Sequence, residues 1–94
     1  MNNYEAMYII KPDVEEEPRT ALIAKFADII TNSGGEVTET DEWGRRRLAY
    51  PINYINDGYY VLVNFKAKPE IPAEMERNFR IAEDVIRFII INKD

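Results

Sequence analysis

Three consecutive arginines, Arg45, Arg46 and Arg47, are the residues of this chain with the most chemistry to offer. A guanidinium is planar and permanently charged, grips a phosphate through two parallel N–H bonds and stacks on a nucleobase. Tyr50, Tyr54, Tyr59 and Tyr60 stand nearby in sequence and add rings on which bases could stack, although tyrosines in strands commonly serve packing. The triplet belongs to a chain of formal net charge -5. Its setting is less acidic than that figure, because residues 1–44 carry three bases against ten acids and residues 45–94 nine against seven. A basic patch can therefore form locally. The competing use for such a triplet is a solvated edge strand whose positive charge opposes aggregation.

Other chemistry is scarce. With no cysteine and no histidine, the chain lacks disulfides, thiolate nucleophiles, imidazole bases and most soft-metal ligands. No carboxylate pair stands out from the surface acids, so no catalytic residue, metal site or cofactor is expected. No apolar run approaches the roughly 18 to 20 residues that span a bilayer, so no membrane is expected as partner. The start, Met1-Asn2-Asn3-Tyr4, has neither a basic nor an apolar signal region, and cytoplasmic residence is the expectation.

The elements that must position the arginines follow from periodicity. Tyr4 to Lys11 is rich in aromatic and β-branched residues and meets a turn at Pro12-Asp13, which predicts a first strand. Leu22, Ile23, Phe26, Ile29 and Ile30 recur at the spacing of one helix face, with Glu15 to Glu17 at its positive end and Gly34-Gly35 as its stop. Glu36 to Ile52 is extended, but its apolar alternation slips from odd positions (Val37, Trp43) to even ones (Leu48, Tyr50, Ile52). A bulge at Gly44-Arg45 would bring both sets to one face. Pro51 cannot donate to a ladder and predicts a sheet edge. After a turn over Asn53 to Gly58, Tyr59 to Lys66 reads as a third strand. Ile71, Met75 and Phe79 behind Pro72 give a short helix to about Ile81, and Val85 to Ile91 is the last strand.

The order βαββαβ predicts an α+β, ferredoxin-like sandwich occupying residues 1–94 as one domain. Right-handed crossovers place both helices on one face of a four-stranded antiparallel sheet of order 4-1-3-2. Period-two alternation then sends Ala6, Tyr8, Ile10, Val61, Val63, Phe65, Ile86, Phe88 and Ile90 toward the helices. Met7, Ile9, Tyr60, Leu62, Ile89 and Ile91 face outward beside Arg87. A patch of that size either is covered by long neighbouring side chains or receives a protein partner.

An RNA-recognition motif shares this topology but expects a basic residue, glycines and aromatics in a set pattern on strand three. The stretch GYYVLVNF lacks the leading basic residue and the second small residue, which argues against base reading on the sheet. Met7-Tyr8-Ile9-Ile10, Gly34-Gly35, the run GRRRLAYPIN from Gly44 to Asn53, GYYVLVNF and FRIAEDVIR from Phe79 to Arg87, taken together, resemble the family of bacterial small-subunit ribosomal protein six. The most specific portion is Gly44, Arg46, Arg47, Leu48, Ala49, Tyr50 and Ile52.

The resemblance implies a structural role in the cytoplasmic ribosome, with no enzymatic activity and no small-molecule substrate. It also implies two partners: the central domain of small-subunit ribosomal RNA and the eighteenth small-subunit ribosomal protein. Arg45, Arg46 and Arg47 are then the leading phosphate-contact candidates, with Arg80 and Arg87 behind them, and the open apolar residues are candidates for the protein partner. Because an acidic chain alone binds phosphates feebly, RNA binding is expected to be cooperative with a basic partner. Some relatives carry an acidic C-terminal extension, whereas this sequence ends at Asn92-Lys93-Asp94, so modification of a glutamate tail is not expected. The main rival is a ligand-sensing regulatory module on the same fold, which topology alone does not exclude. An acyl-phosphate hydrolase would need an anion-cradling loop after strand one, where Asp13 and Glu15 to Glu17 carry the wrong sign.

Overall fold

The computed structural model describes residues 1–52 and 54–94, so Asn53, which the sequence places in a turn and at the end of the arginine-containing run, lies outside the described residues. Six elements follow one another: β1 (Asn2–Ile10), α1 (Glu16–Asn32), β2 (Glu36–Ile52), β3 (Ile55–Ala67), α2 (Ile71–Ile81) and β4 (Val85–Asn92). The antiparallel strands lie in the order β2-β3-β1-β4, the ferredoxin-like arrangement expected, with β2 and Pro51 at an edge.

The core sits between the helices and one sheet face. Helix α1 contributes Phe26 and Ile30, and α2 contributes Ile71, Met75 and Phe79 at the predicted i, i+4, i+8 spacing. They meet Ala6, Tyr8 and Ile10 of β1 and Val61, Val63 and Phe65 of β3. At the centre the rings of Tyr8, Phe26 and Phe79 form a triangle with centroid separations of 5.1, 4.9 and 4.4 Å. Each such ring buries a large apolar area and is worth roughly 1.5–3 kcal/mol by transfer. The Tyr8 hydroxyl is buried with no hydrogen-bond partner among the described residues, and burial pushes it far above the usual tyrosine range, with Glu42 adding to the shift.

Three register features depart from the sequence expectation. First, β3 begins at Ile55, so Ile55 to Asp57, expected in a turn, extend the β2–β3 hairpin into a longer arm. Second, β1 and β4 slip between Ile9 and Ile10, where Ile9 opposes Arg87 but Ile10 opposes Val85. Val85 therefore takes the core position assigned to Ile86, and the Ile86 Cδ1 lies instead on the open side beside Gly58. Third, β2 does carry a bulge, between Glu42 and Gly44, with Gly44 at φ 82° in the left-handed region that glycine enters at little cost. A further shift between Val37 and Glu39 changes the phase again. Val37 consequently packs against the helix-side core while Trp43 faces the open side with Tyr60, so the two do not share a face.

Candidate nucleic-acid and protein interface

The arginine triplet lies where β2 pairs with the start of β3. Arg45 opposes Tyr59, Arg46 opposes Gly58 and Arg47 opposes Asp57. Directly opposed residues project to the same side, so Arg45 and Arg47 share the helix side with Tyr59, while Arg46 shares the open side with Gly58. All three are exposed. Their surroundings differ. The Arg45 Nε lies 3.1 Å from the Asp57 carboxylate, and its Nη2 donates to the Pro12 carbonyl at 2.9 Å. Among the described residues, no hydrogen bond or ion pair engages the guanidinium of Arg46 or Arg47. The triplet is thus one anchored arginine followed by two that reach solvent on opposite faces of the arm.

The other two arginine candidates are separated from these. Arg80, in the last turn of α2, pairs with Glu76 one turn earlier and approaches the Phe88 ring, which places it on the helix layer. Arg87 on β4 donates to the Tyr50 hydroxyl, with its guanidinium 5.4 Å from the centre of that ring. Strands β2 and β4 are opposite edges of the sheet, so this contact brings the end of the arm across the open face. The register jumps from Arg47 opposite Asp57 to Ile52 opposite Ile55, setting the four residues Leu48 to Pro51 against Asn56 alone, and the surplus of three allows this curl. Arg46 and Arg87 consequently share the open face, whereas Arg45, Arg47 and Arg80 do not lie on it.

Two further apolar residues, Ile9 and Leu48, are buried outside the helix-side core, at 7% and 8% exposed. The absence of a side chain at buried Gly58 makes room for Ile9, whose Cγ2 would stand only 2.3 Å from a Cβ placed there. Ile9 faces the open side as expected but is sealed, so it offers a partner little surface. The surface that stays open runs along Met7, Leu62 and Tyr60 to Ile89 and Ile91, which are 54% and 46% exposed. Trp43 extends it, stacked on Tyr60 at 6.3 Å and 8° with its indole N–H donating to Asp41. Glu5, Glu39 and Asp41 project to this same side by register, giving the apolar strip an acidic border.

Sequence reasoning missed Trp43, Leu48 and Gly58 as parts of this face, and Asp57 and Pro12 as partners of Arg45. The slipped alternation in β2 was the available sign for the first two. Nothing local marks a salt bridge formed across a hairpin. The helix side of the arm holds a second tie: Arg19 of α1 lies 4.1 Å over the Tyr59 ring, and the Tyr59 hydroxyl donates to Glu42 at 2.8 Å. That hydrogen bond, with some burial, raises the Tyr59 pKa against the opposing influence of Arg19.

The fold and its surface define a small ferredoxin-like sandwich whose distinctive groups line an outward face and an arm. The ribosomal protein S6 family model matches residues 3–92. The small ribosomal subunit protein bS6 of Clostridium novyi is 53% identical over 94 residues, covering 100% of this chain and 99% of that protein. The bS6 protein of Desulforamulus reducens is 54% identical over 93 residues, covering 99% of this chain and 98% of its own length. The crystal structure of 30S ribosomal protein S6 from Thermotoga maritima superposes with a TM-score of 0.92 at 30% identity, covering 98% of this chain and 87% of that one. The chain belongs to the ribosomal protein S6 family, whose members are structural, non-enzymatic proteins of the small ribosomal subunit.

Proposed function

We propose that this chain enters the small ribosomal subunit as a pair with the eighteenth small-subunit ribosomal protein and contacts the central domain of small-subunit ribosomal RNA through Arg46 and Arg47. The observation that carries this reading is the division of the surface. An exposed apolar strip with an acidic border lies on the open face, next to an arm bearing two guanidiniums with no partner among the described residues. The apolar strip suits burial against a protein, and Glu5, Glu39 and Asp41 suit a basic one. The arginines suit phosphate oxygens, which accept two N–H bonds from a single guanidinium.

The two interfaces depend on each other. A chain of net charge -5 repels a polyanion at long range, so a cationic companion bound to the acidic half supplies the attraction that a few arginines alone lack. Arg87 is occupied with Tyr50, and Arg80 with Glu76 on the helix layer, so both are secondary contributors.

The test is complex formation between the purified chain and the eighteenth small-subunit ribosomal protein, followed by sedimentation. Ile89→Glu and Ile91→Glu place a charge at exposed positions and leave the monomer folded. They should weaken the pair by about five- to 150-fold or more, since a carboxylate buried at an apolar contact without a partner costs on the order of 1–3 kcal/mol or more. Unchanged association in both variants would remove the open face from the interface.

A further inference from the structure

We propose that Arg45 is a positioning residue that holds the arm so that Arg46 and Arg47 can reach phosphate, and that it makes no phosphate contact of its own. This rests on the RNA-binding role proposed above and divides the three arginines into two jobs.

Arg45 is the triplet member whose guanidinium is already committed. It faces the Asp57 carboxylate at 3.1 Å and the Pro12 carbonyl at 2.9 Å, joining three segments of the chain: β2, β3 and the β1–α1 connection. These two acceptors fill its Nε/Nη2 edge, so a phosphate could grip that edge only by displacing the Asp57 carboxylate and the Pro12 carbonyl. The same side of the arm carries the Arg19 guanidinium over the Tyr59 ring, and Tyr59 is the residue directly opposite Arg45. On the other side, Ile9 fills the space above Gly58, which is directly opposite Arg46. The arm is therefore fastened on both faces at the level of residues 45 and 46. Fixing the backbone there reduces the conformational freedom that Arg46 and Arg47 must lose on meeting RNA, which strengthens binding without any new contact.

By charge alone, removing a carboxylate near the arginines should tighten RNA binding, because one repulsive group is gone. If Asp57 holds the clasp, removing it should weaken binding instead. Half-exposed pairs of this kind are worth up to about 1 kcal/mol, or roughly fivefold in an equilibrium constant.

The experiment measures binding of the chain, paired with the eighteenth small-subunit ribosomal protein, to a transcript of the ribosomal RNA central domain across a salt series. Asp57→Asn should weaken binding about three- to fivefold and leave the salt slope as in the wild type. Arg45→Ala should do the same, whereas loss of a phosphate contact would reduce the slope by about one. Tighter or equal binding by Asp57→Asn overturns the inference, as does a reduced slope in Arg45→Ala. The reference is the Arg46→Ala/Arg47→Ala double variant. If it weakens binding while Asp57→Asn does not, only the role of Arg45 fails. If the double variant binds like the wild type, the RNA-binding reading fails and the inference fails with it. Amide exchange on folded Asp57→Asn supplies a readout independent of RNA: exchange over residues 44–58 should accelerate relative to β1, and unchanged exchange would contradict the clasp.

Discussion

Gly58→Ala is the most informative single perturbation of the open face. Gly58 is buried and its φ lies outside the left-handed region, so an alanine can adopt the backbone conformation and only its methyl group matters. That methyl would stand 2.3 Å from the Ile9 Cγ2, 3.3 Å from the Ile10 carbonyl oxygen and 3.6 Å from the Ile86 Cδ1. Carbon atoms rest at about 3.5–4.0 Å, so the first contact is an overlap of more than 1 Å against a β-branched side chain that is itself stiff. Overpacking of this kind costs about 1–3 kcal/mol, while the restricted unfolded chain returns about 0.4–1 kcal/mol, so the overlap wins with a net loss of about 1–2 kcal/mol. For a chain of this size the midpoint of thermal unfolding should fall by roughly 5–15 °C. The cause can be isolated with Ile9→Ala, which costs about 2–5 kcal/mol alone but removes the obstructing Cγ2. In that background Gly58→Ala should cost close to nothing, so denaturant titrations of the four proteins should give a coupling of about 1–2 kcal/mol. Equal costs in both backgrounds, or a neutral Gly58→Ala, would refute the packing of Ile9 over Gly58.

Two other substitutions probe polar burial and strain. Tyr8→Phe removes a buried hydroxyl that has no partner among the described residues, and denaturant unfolding near neutral pH should show it unchanged or about 1 kcal/mol more stable. Its pH dependence has a definite sign: the folded-state pKa of Tyr8 is raised, so its contribution to stability is intact below the ordinary tyrosine value and is lost as pH rises toward the raised one. Above about pH 10 the wild type should therefore lose stability faster than Tyr8→Phe, by up to about 1.4 kcal/mol per pH unit. Tyr54 is 98% exposed at φ 68°, so Tyr54→Gly relieves a left-handed conformation without losing packing and should raise the melting temperature by a few degrees.

Order and direction of the elements were legible because each has a strong local signature. The i, i+4, i+8 spacing of Ile71, Met75 and Phe79 identified α2, and Pro51 placed β2 at an edge. Positions governed by pairing between strands were not legible. Val85 displaces Ile86 from the core because β1 slips against β4 after Ile9, and alternation within β4 alone carries no trace of that slip. Val37 and Trp43 part company because a shift between Val37 and Glu39 precedes the bulge between Glu42 and Gly44, whereas the pattern signals only the later one. For the candidate site, the residue types of the triplet drew notice to this segment, but its division into one anchored and two solvent-facing arginines depends on Asp57 and Pro12, which come close only after folding. Ile9 reads as an exposed strand residue until the missing side chain of Gly58 gives it a place to bury.

The central claim, that an acidic sandwich reaches RNA through two guanidiniums on an arm while a protein partner occupies its open face, meets its most direct test in one salt series. The Arg46→Ala/Arg47→Ala complex with the eighteenth small-subunit ribosomal protein should bind the ribosomal RNA central domain more weakly than the wild-type complex. The slope of log affinity against log salt should shrink by about 1.4–1.8, the loss of two phosphate contacts. An affinity and slope equal to those of the wild type would contradict the account.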